Sequence, residues 1–235
     1  MRKVLITGAS SDIGLAVCRE YLKHGWYVIG HYRNYRHELN SLNSKNFEVW
    51  QCDFSNHLEL IDALKDKNKD FNEIDAMITL AAEISSKDLL SITAKDILTA
   101  ITVNYLPSFL LMQTIGPAML ERGFGRIVHG SSIGVKFGGG QQSFSYSLSK
   151  HALELIPSEC LTWAKDNVFV NTARIGVTDT RLLKLVKENE IPERINNIPT
   201  KRLASPEEIA SSLFWLGSET NRYITGQVIP ISGGE

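Results

Sequence analysis

The sequence predicts a doubly wound α/β fold, in which a parallel sheet of about seven strands is covered by helices on both faces. Short apolar runs alternate with amphipathic segments along all 235 residues. The apolar runs are continuous and do not alternate with polar residues, which is typical of strands buried on both faces. Because no linker-like stretch interrupts this order, we expect a single domain over residues 1–235.

The individual elements follow from these runs and from helical spacing of apolar residues. Strands are predicted over 3–7, 26–32, 47–53, 74–82, 125–132, 168–176 and 226–234. Helices are predicted over 13–24, 37–42, 57–71, 93–121, 144–165 and 205–218. The last of these opens on Ser205, Pro206 and Glu208, the pattern of a capping box. Segment 180–197 is predicted to form small helices, and 180–200 to form a possible substrate lid.

Charge, hydropathy and cysteine usage narrow the class of protein. The chain has 25 Lys and Arg against 26 Asp and Glu, so we expect no nucleic-acid or membrane partner. No apolar run reaches the ~20 residues that span a bilayer, and the N-terminal run is too short for a signal peptide. The cysteines (Cys18, Cys52 and Cys160) are widely spaced and match no metal motif. We therefore expect reduced thiols, no bound metal and a cytoplasmic location.

A glycine-bearing turn, "TGASSDIG", joins the first predicted strand to the first helix. Gly8 allows a tight turn and Gly14 allows close packing of the helix on the sheet. The free N–H groups at the start of the helix, chiefly that of Ile13, are suited to a dinucleotide pyrophosphate. The residues predicted to line this part of a dinucleotide site are Gly8, Ser10, Ser11, Asp12, Ile13 and Gly14.

Asp12 places a negative charge in this phosphate loop. Its repulsion of a phosphate at about 4 Å is about 1 kcal/mol when solvated and about 4 kcal/mol at an effective dielectric constant of about 20. We expect the carboxylate to turn away from the phosphate and to cap N–H groups of the helix. Asp12→Gly should then tighten dinucleotide binding by less than about tenfold.

Further motifs follow in a fixed order. They are "CDF" at Asp53, "VNYLP" at Asn104, "GSS" at Ser131 and Ser132, "YSLSK" at Tyr146 to Lys150, "ARIGVTDT", and "ITGQVIPISGG" near the C-terminus. With the glycine loop, this series resembles the short-chain dehydrogenase/reductase family, in its simple single-domain branch. It is most similar overall to 3-oxoacyl-[acyl-carrier-protein] reductases. The resemblance covers essentially the whole chain and implies a Rossmann-like fold.

The resemblance implies four catalytic residues. Tyr146 is the expected general acid and base, and Lys150, four residues on, shares its helix face. The Lys150 ammonium is expected to lower the pKa of the tyrosine and to hold the nicotinamide ribose. Ser132 is expected to hydrogen-bond the substrate oxygen, and Asn104 to hold a water in a proton relay.

Two adjacent serines compete for the catalytic role. The family commonly has a glycine six positions after the catalytic serine, and Gly138 satisfies this spacing for Ser132. Gly134, three positions after Ser131, offers a competing register. We favour Ser132 and expect Ser131 to be structural.

The resemblance also implies the remaining cofactor contacts. Asp53, followed by Phe54, is placed against the adenine, although it could instead cap the next helix, a role for which Ser55 is better placed. The Ala81 backbone is expected to contact the cofactor. The Val177 backbone is expected to hold the nicotinamide carboxamide, with help from Thr180.

The end of the second strand bears on the choice of cofactor. It reads "VIGHYRN" and lacks the acid that accepts from a ribose 2′-hydroxyl in NAD-preferring members. Arg33 is placed to bind a 2′-phosphate, with Asn34 and Arg36 nearby. The sequence therefore predicts NADP(H) in preference to NAD(H), the alternative being solvated loop arginines.

Several positions depart from the family pattern, among them Asp12, where the family has glycine. "TLAA" at 79–82 replaces Asn-Asn-Ala-Gly and loses bracing asparagines, and Ile175 replaces the proline before Gly176. Pro157 lies in the helix that forms a dimer face in relatives, so a homodimer or homotetramer is expected without a choice between them. His129 and His151 are expected to be structural.

These features predict an NADPH-dependent oxidoreductase that transfers a hydride between nicotinamide and a ketone or secondary alcohol. One alternative is a non-catalytic NAD(P)-binding sensor or scaffold, which the complete catalytic set disfavours. A second is a nucleotide-sugar modifying member of the superfamily, whose separate substrate lobe 235 residues hardly allow.

Overall fold

The computed structural model describes residues 1–34, 37–140, 142–181, 183 and 191–235. Within them, parallel strands form one sheet in the order β3-β2-β1-β4-β5-β6-β7. The strands are β1 (Lys3–Thr7), β2 (Tyr27–Tyr32), β3 (Phe47–Gln51), β4 (Ala76–Thr79), β5 (Gly125–Ser132), β6 (Val168–Ile175) and β7 (Val228–Ile231). The doubly wound parallel sheet is confirmed. Its strand order reverses between β1 and β4, the switch point where such sheets bind ligands.

Helices cover both faces of the sheet. In the described part of the chain the α-helices are α1 (Asp12–Lys23), α2 (His57–Asp66), α3 (Asn68–Phe71), α4 (Ala94–Asn104), α5 (Leu106–Arg122), α6 (Phe144–Ala152), α7 (Ser158–Thr162), α8 (Ile191–Asn197) and α9 (Pro206–Leu216). Short 3-10 helices span His37–Leu42, Ile133–Phe137 and Trp163–Asp166. The predicted capping box at Ser205 is confirmed, since its hydroxyl and the Glu208 carboxylate cap α9 reciprocally.

The core lies in two layers separated by the sheet. Side chains of a strand alternate between its faces, so Val4 and Ile6 of β1 pack in one layer with α1 and α9. Leu5, between them, packs in the other layer with α2 and α5. Strands buried on both faces explain the continuous apolar runs of the sequence.

The predicted long helix over 144–165 is wrong. The chain leaves the helix after Ala152, and Pro157 stands as the N-cap of the short α7. A proline within a helix lacks the N–H donor and clashes with the preceding turn, so the break replaces the kink expected from sequence. The helix predicted over 57–71 is likewise divided, at Lys67.

The stretch Ala94–Arg122 is, among the described residues, the one helical segment long and apolar enough to cross a membrane. It divides at Tyr105 into α4 and α5. Leu111 and Ile115 of α5 are buried in the core layer against the sheet. The predicted lid over 180–200 includes residues 182 and 184–190, which lie outside the described part.

Candidate active site

The ends of β1 and β4 meet at the switch point of the sheet. The Thr7 hydroxyl accepts hydrogen bonds from the N–H groups of Leu80 and Ala81, at 3.0 and 3.1 Å. Gly8 has a φ of +70°, and a Cβ there would lie 2.8 Å from the Ala81 nitrogen. Only glycine combines this backbone conformation with so close an approach. The first predicted glycine is therefore required by the fold.

Ser11 caps helix α1. Its hydroxyl accepts from the Gly14 N–H at 3.0 Å and donates to the Gly8 carbonyl at 2.8 Å. The prediction that Asp12 caps this helix is wrong, because Asp12 is its first helical residue. The N–H groups of the first turn, including that of Ile13, have no acceptor within a helix. They fit the pyrophosphate of a dinucleotide.

The Asp12 carboxylate is bound by Arg181, which follows β6. Its Oδ2 accepts from the Arg181 backbone N–H at 2.7 Å, and its Oδ1 lies 2.5 Å from the guanidinium. The carboxylate is therefore directed to a segment from the other half of the sheet. Sequence reasoning missed this partner, which lies 169 positions away.

His31, near the end of β2, supports the glycine loop and was not foreseen as a site residue. Its Nδ1 accepts from the Gly8 N–H at 3.3 Å, and its Nε2 donates to the Cys52 carbonyl at 2.9 Å. Its ring stacks on Phe54 at 3.9 Å between centroids. The Phe54 side chain is thus part of the core, 3% exposed, and only its backbone can contact a nucleotide.

Asp53 lies at the predicted adenine position, after β3. Its carboxylate accepts from the Ser55 N–H at 2.9 Å. Burial raises the pKa of Asp53, but hydrogen bonds from Ser55 outweigh this and lower it overall. Asn56 caps α2, so neither Asp53 nor Ser55 takes that role. Asp53 is thus a charged acceptor just beyond the end of β3.

Arg33 follows β2, as predicted, but is paired with Glu83, which follows β4. The two side chains lie 2.8 Å apart, and each is about two-fifths exposed (45 and 41%). Asn34 is exposed beside it, and Arg36 lies outside the described residues. No sequence motif indicates Glu83, because its partner stands 50 positions earlier.

The structure brings Ser132, Tyr146 and Lys150 together where β5 ends and α6 begins. The Ser132 hydroxyl lies near enough to the Tyr146 side chain to influence its pKa. The Lys150 ammonium lies 5.8 Å from the centre of the Tyr146 ring and donates to the Gly130 carbonyl at 2.7 Å. Lys150 is 3% exposed. The three side chains form a serine–tyrosine–lysine cluster on a rigid strand and helix.

Burial controls the titration of this cluster. It raises the pKa of Tyr146, an effect that the hydrogen bond from Ser132 opposes. It lowers the pKa of Lys150 from 10.5 to about 8. The pKa of Tyr146 is therefore raised overall, because burial outweighs the lowering by Lys150 that the sequence predicted. A raised pKa keeps Tyr146 protonated, which is the form that can donate a proton to a substrate.

Ser131 has a structural environment. Its buried hydroxyl lies 2.7 Å from Glu154 Oε1 and 3.1 Å from the Lys150 carbonyl. Glu154 is ion-paired with Arg174 of β6, so the whole group ties the end of α6 to the sheet. Ser132 is the serine that faces Tyr146, which supports the assignment favoured from the sequence.

Asn104, at the end of α4, is fully hydrogen-bonded through its side chain. The side-chain carbonyl accepts from the Glu83 N–H at 2.7 Å, and the amide nitrogen donates to the Glu83 carbonyl at 3.0 Å and to Ser149 at 2.9 Å. These bonds hold the chain after β4 against α4 and α6. A proton-relay water at Asn104 would therefore have to bind its backbone.

The segment after β6 keeps its turn without the family's proline. The Gly176 N–H donates to the Ile231 carbonyl at 2.8 Å. The Val177 carbonyl accepts from the Ala204 N–H at 3.1 Å. A contact from Val177 to a carboxamide would therefore use its N–H group. Thr180, partly exposed, directly precedes Arg181.

Thr79 and His129 brace β4 against β5 where the family has asparagine. The Thr79 hydroxyl lies 3.0 Å from His129 Nδ1, and both side chains are buried. His129 is thus structural, as predicted, while His151 is exposed on α6. Burial lowers the pKa of both His129 and His31 from 6.5 to about 4.

These two histidines predict acid-sensitive folding. In the unfolded chain His31 and His129 bind a proton below about pH 6.5, whereas in the folded protein they stay neutral down to about pH 4. Each histidine should therefore lower the free energy of unfolding by about 2 kcal/mol as pH falls from 7.5 to 5. Urea titrations of wild type and His129→Gln measure the difference. The exposed His37→Gln is the control, and equal pH slopes for wild type and His129→Gln would contradict the prediction.

Comparison with known proteins agrees with this architecture. The family model described as Enoyl-(Acyl carrier protein) reductase matches residues 8–235. A 3-oxoacyl-[acyl-carrier-protein] reductase of Buchnera aphidicola is 28% identical, covering 99% of this chain and 96% of that protein. A tropinone reductase homolog of Arabidopsis thaliana is 31% identical, with coverages of 99 and 90%.

A solved structure gives the same answer in three dimensions. It is a protein of Beutenbergia cavernae assigned as an NAD(P)-dependent gluconate 5-dehydrogenase, with NADP bound at low occupancy. It superposes with a TM-score of 0.89 at 26% identity, covering 99% of this chain and 96% of its own. The fold, the switch-point glycines and the tyrosine–lysine helix are those of a nucleotide-dependent dehydrogenase. This chain belongs to the short-chain dehydrogenase/reductase family.

Membership makes the protein an NAD(P)-dependent oxidoreductase acting between ketones and secondary alcohols. The residues present fit a dinucleotide: Gly8 and Gly14 let the loop pack closely against the chain after β4 and against α1, and the N–H groups of the first turn of α1 are suited to a pyrophosphate. A shallow cavity of about 340 Å³ runs from Asp12 and Thr180 to Pro206 at the start of α9. Ser132, Tyr146 and Lys150 are not among the residues that line it.

Proposed function

We propose that this protein is an NADPH-dependent ketone reductase, a single domain in which Ser132, Tyr146 and Lys150 perform the proton transfer. The observation that carries this proposal is the buried Lys150 ammonium 5.8 Å from the centre of the Tyr146 ring, with Ser132 near the same tyrosine. Nicotinamide supplies the hydride when bound. The proton transfer is carried out by side chains at the end of β5 and on α6.

The proton transfer follows from the protonation states of these groups. As hydride reaches the carbonyl carbon, negative charge develops on the substrate oxygen, and Tyr146 donates its phenolic proton there. Ser132 stabilises that oxygen by a hydrogen bond. The tyrosinate left behind is stabilised by the Lys150 ammonium. A proton returned from solvent restores Tyr146, and the alcohol is released.

A panel of ketones tests which class of substrate the protein reduces. The relatives include reductases of an acyl thioester and of the tropinone type, and a gluconate dehydrogenase is similar in fold. NADPH oxidation should be followed with a panel of acetoacetyl thioesters, cyclic ketones and keto sugar acids. Turnover of at least one ketone, absent with Tyr146→Phe, supports the proposal. Binding of NADPH without turnover of any member would favour the sensor alternative.

We propose that Arg33 gives the protein its preference for NADPH over NADH. Arg33 follows the described strand β2, which contains no acidic residue. The Arg33 guanidinium is suited to a 2′-phosphate. Glu83, now its partner at 2.8 Å, would compete with that phosphate. Binding of the 2′-phosphate to Arg33 therefore favours NADPH, and pairing of Arg33 with Glu83 opposes that preference.

Substitutions at this pair should move affinity in opposite directions. Because a hydrogen bond to a charged group is worth about 1.5–3 kcal/mol, Arg33→Ala should weaken NADPH about 10- to 100-fold and change NADH little. Glu83→Gln should tighten NADPH by less than about tenfold. Cofactor fluorescence titrations measure both, with exposed Arg222→Ala as the control. If the wild-type protein binds NADPH no more than about twofold more tightly than NADH, the proposal is wrong.

We also propose that the protein forms a homodimer or homotetramer in the cytoplasm. Leu98 of α4 and Leu148 of α6 are exposed on neighbouring helices, at 65 and 38%. Leu155, in the break before Pro157, is 80% exposed. The three cysteines are buried free thiols, which suits a reducing compartment. Sedimentation of wild type and Leu148→Glu tests the assembly.

A further inference from the structure

Arg181 joins three segments that are distant in sequence. Its guanidinium contacts the Asp12 carboxylate at 2.5 Å and Glu38 Oε1 at 2.9 Å. It also lies 3.5 Å from the Ser10 carbonyl. The Arg181 backbone N–H adds a bond of 2.7 Å to Asp12. Arg181 thereby connects three segments: the glycine loop, the 3-10 helix after β2 and the segment after β6.

The partner of Arg181 stands where the family has glycine. An unpaired carboxylate at position 12 would repel the pyrophosphate that this loop is built to hold. The guanidinium, in direct contact, cancels much of that charge. The acidic partners in turn raise the pKa of Arg181, the bond to Asp12 most of all. Its charge is therefore constant over the working pH range.

Arg181 also retains an unused donor. Its Nε is buried and has no hydrogen-bond partner within the described part of the chain. Buried donors normally find an acceptor. Glu38 holds the far side of the guanidinium and fixes its orientation.

We propose that Arg181 is a positioning residue for the dinucleotide, acting with Asp12 as a paired-charge replacement for the family's glycine. It cancels the charge of Asp12 at the pyrophosphate loop. It also holds Thr180, its immediate neighbour, against the start of α1. The inference rests on the NAD(P) use of the family and on the proposed site, and it concerns nucleotide affinity, not the proton transfer.

A double-substitution cycle tests this role. Arg181→Met exposes the charge of Asp12 and should raise the Kd for NADPH by at least about tenfold, with kcat at saturating NADPH reduced less than about threefold. Asp12→Asn alone should leave the Kd unchanged or lower. The double variant should recover most of the affinity lost in Arg181→Met. Arg181→Lys, which keeps the charge, should fall between wild type and Arg181→Met.

Arg19→Met is the matched control. Arg19 is exposed one to two turns further along α1, where it hydrogen-bonds Ser41 at 3.1 Å. The Arg19→Met substitution removes the same charge as Arg181→Met. A similar loss of NADPH affinity in Arg19→Met would therefore show a general charge effect and overturn the inference. A double variant as weak as Arg181→Met would also overturn it. Because Kd is measured by fluorescence without substrate, the outcome is independent of whether the proposed ketone reduction is found.

Discussion

Tyr146→Phe is expected to lower kcat for ketone reduction about a thousandfold, because general acid catalysis contributes about 10²- to 10⁴-fold. The phenyl ring keeps the packing of α6 and loses only the hydroxyl. Binding of NADPH should weaken by less than about fivefold, since a neutral hydrogen bond is worth about 1 kcal/mol. Steady-state rates and fluorescence titration of the same preparation separate the two effects.

The control for this variant is Tyr223→Phe, which removes a hydroxyl from a side chain 93% exposed and should leave both parameters unchanged. Retention of more than about a tenth of the wild-type kcat in Tyr146→Phe would show that another group delivers the proton. A cellular role that survives Tyr146→Phe would show that the role is nucleotide binding and not catalysis. The variant thus tests the assignment and the function together.

Local patterns in the sequence were sufficient for most of the fold. Continuous apolar runs predicted all seven strands, because burial on both faces of a parallel sheet leaves that signature. The Tyr146–Lys150 spacing predicted a shared helix face, since residues four apart are neighbours on a helix. Ser205 and Glu208 likewise formed the cap that their spacing predicted. Each of these signals is contained within a few residues.

Contacts between distant segments could not be read in this way. Arg33 and Glu83 carry no mutual signal across 50 positions, and Arg181 reaches Asp12 across 169. Asp12 was therefore assigned the local role of a helix cap, which Ser11 fills. The partner that resolves its charge comes from the other half of the sheet.

Titration behaviour was also missed because it depends on burial. The Tyr146 and Lys150 motif predicted an ammonium that lowers the tyrosine pKa. Lys150 is buried and Tyr146 is partly buried in the structure, and desolvation of each charged form opposes that effect. Spacing shows that two side chains can meet, but how far each is removed from water depends on the elements packed around them.

Lys150→Met is expected to lower kcat about a hundredfold. At 5.8 Å from the ring, an ammonium stabilises a tyrosinate by about 3 kcal/mol at an effective dielectric constant of about 20. Methionine fills a similar volume without the charge. Since burial of the ammonium opposes folding, the variant should be as stable as wild type or more so, which separates lost catalysis from lost structure.

The pH profile gives the sharper readout. Burial lowers the pKa of Lys150 to about 8, so the ammonium is present at pH 7 and is lost as pH rises through 8. The kcat for reduction should therefore be level below pH 7, fall above about 8, and lose this step in Lys150→Met. Lys136→Met, at an exposed position in the 3-10 helix after β5, is the matched control and should keep the wild-type profile. An unchanged step in Lys150→Met would assign the titration to another group and remove Lys150 from the proton transfer.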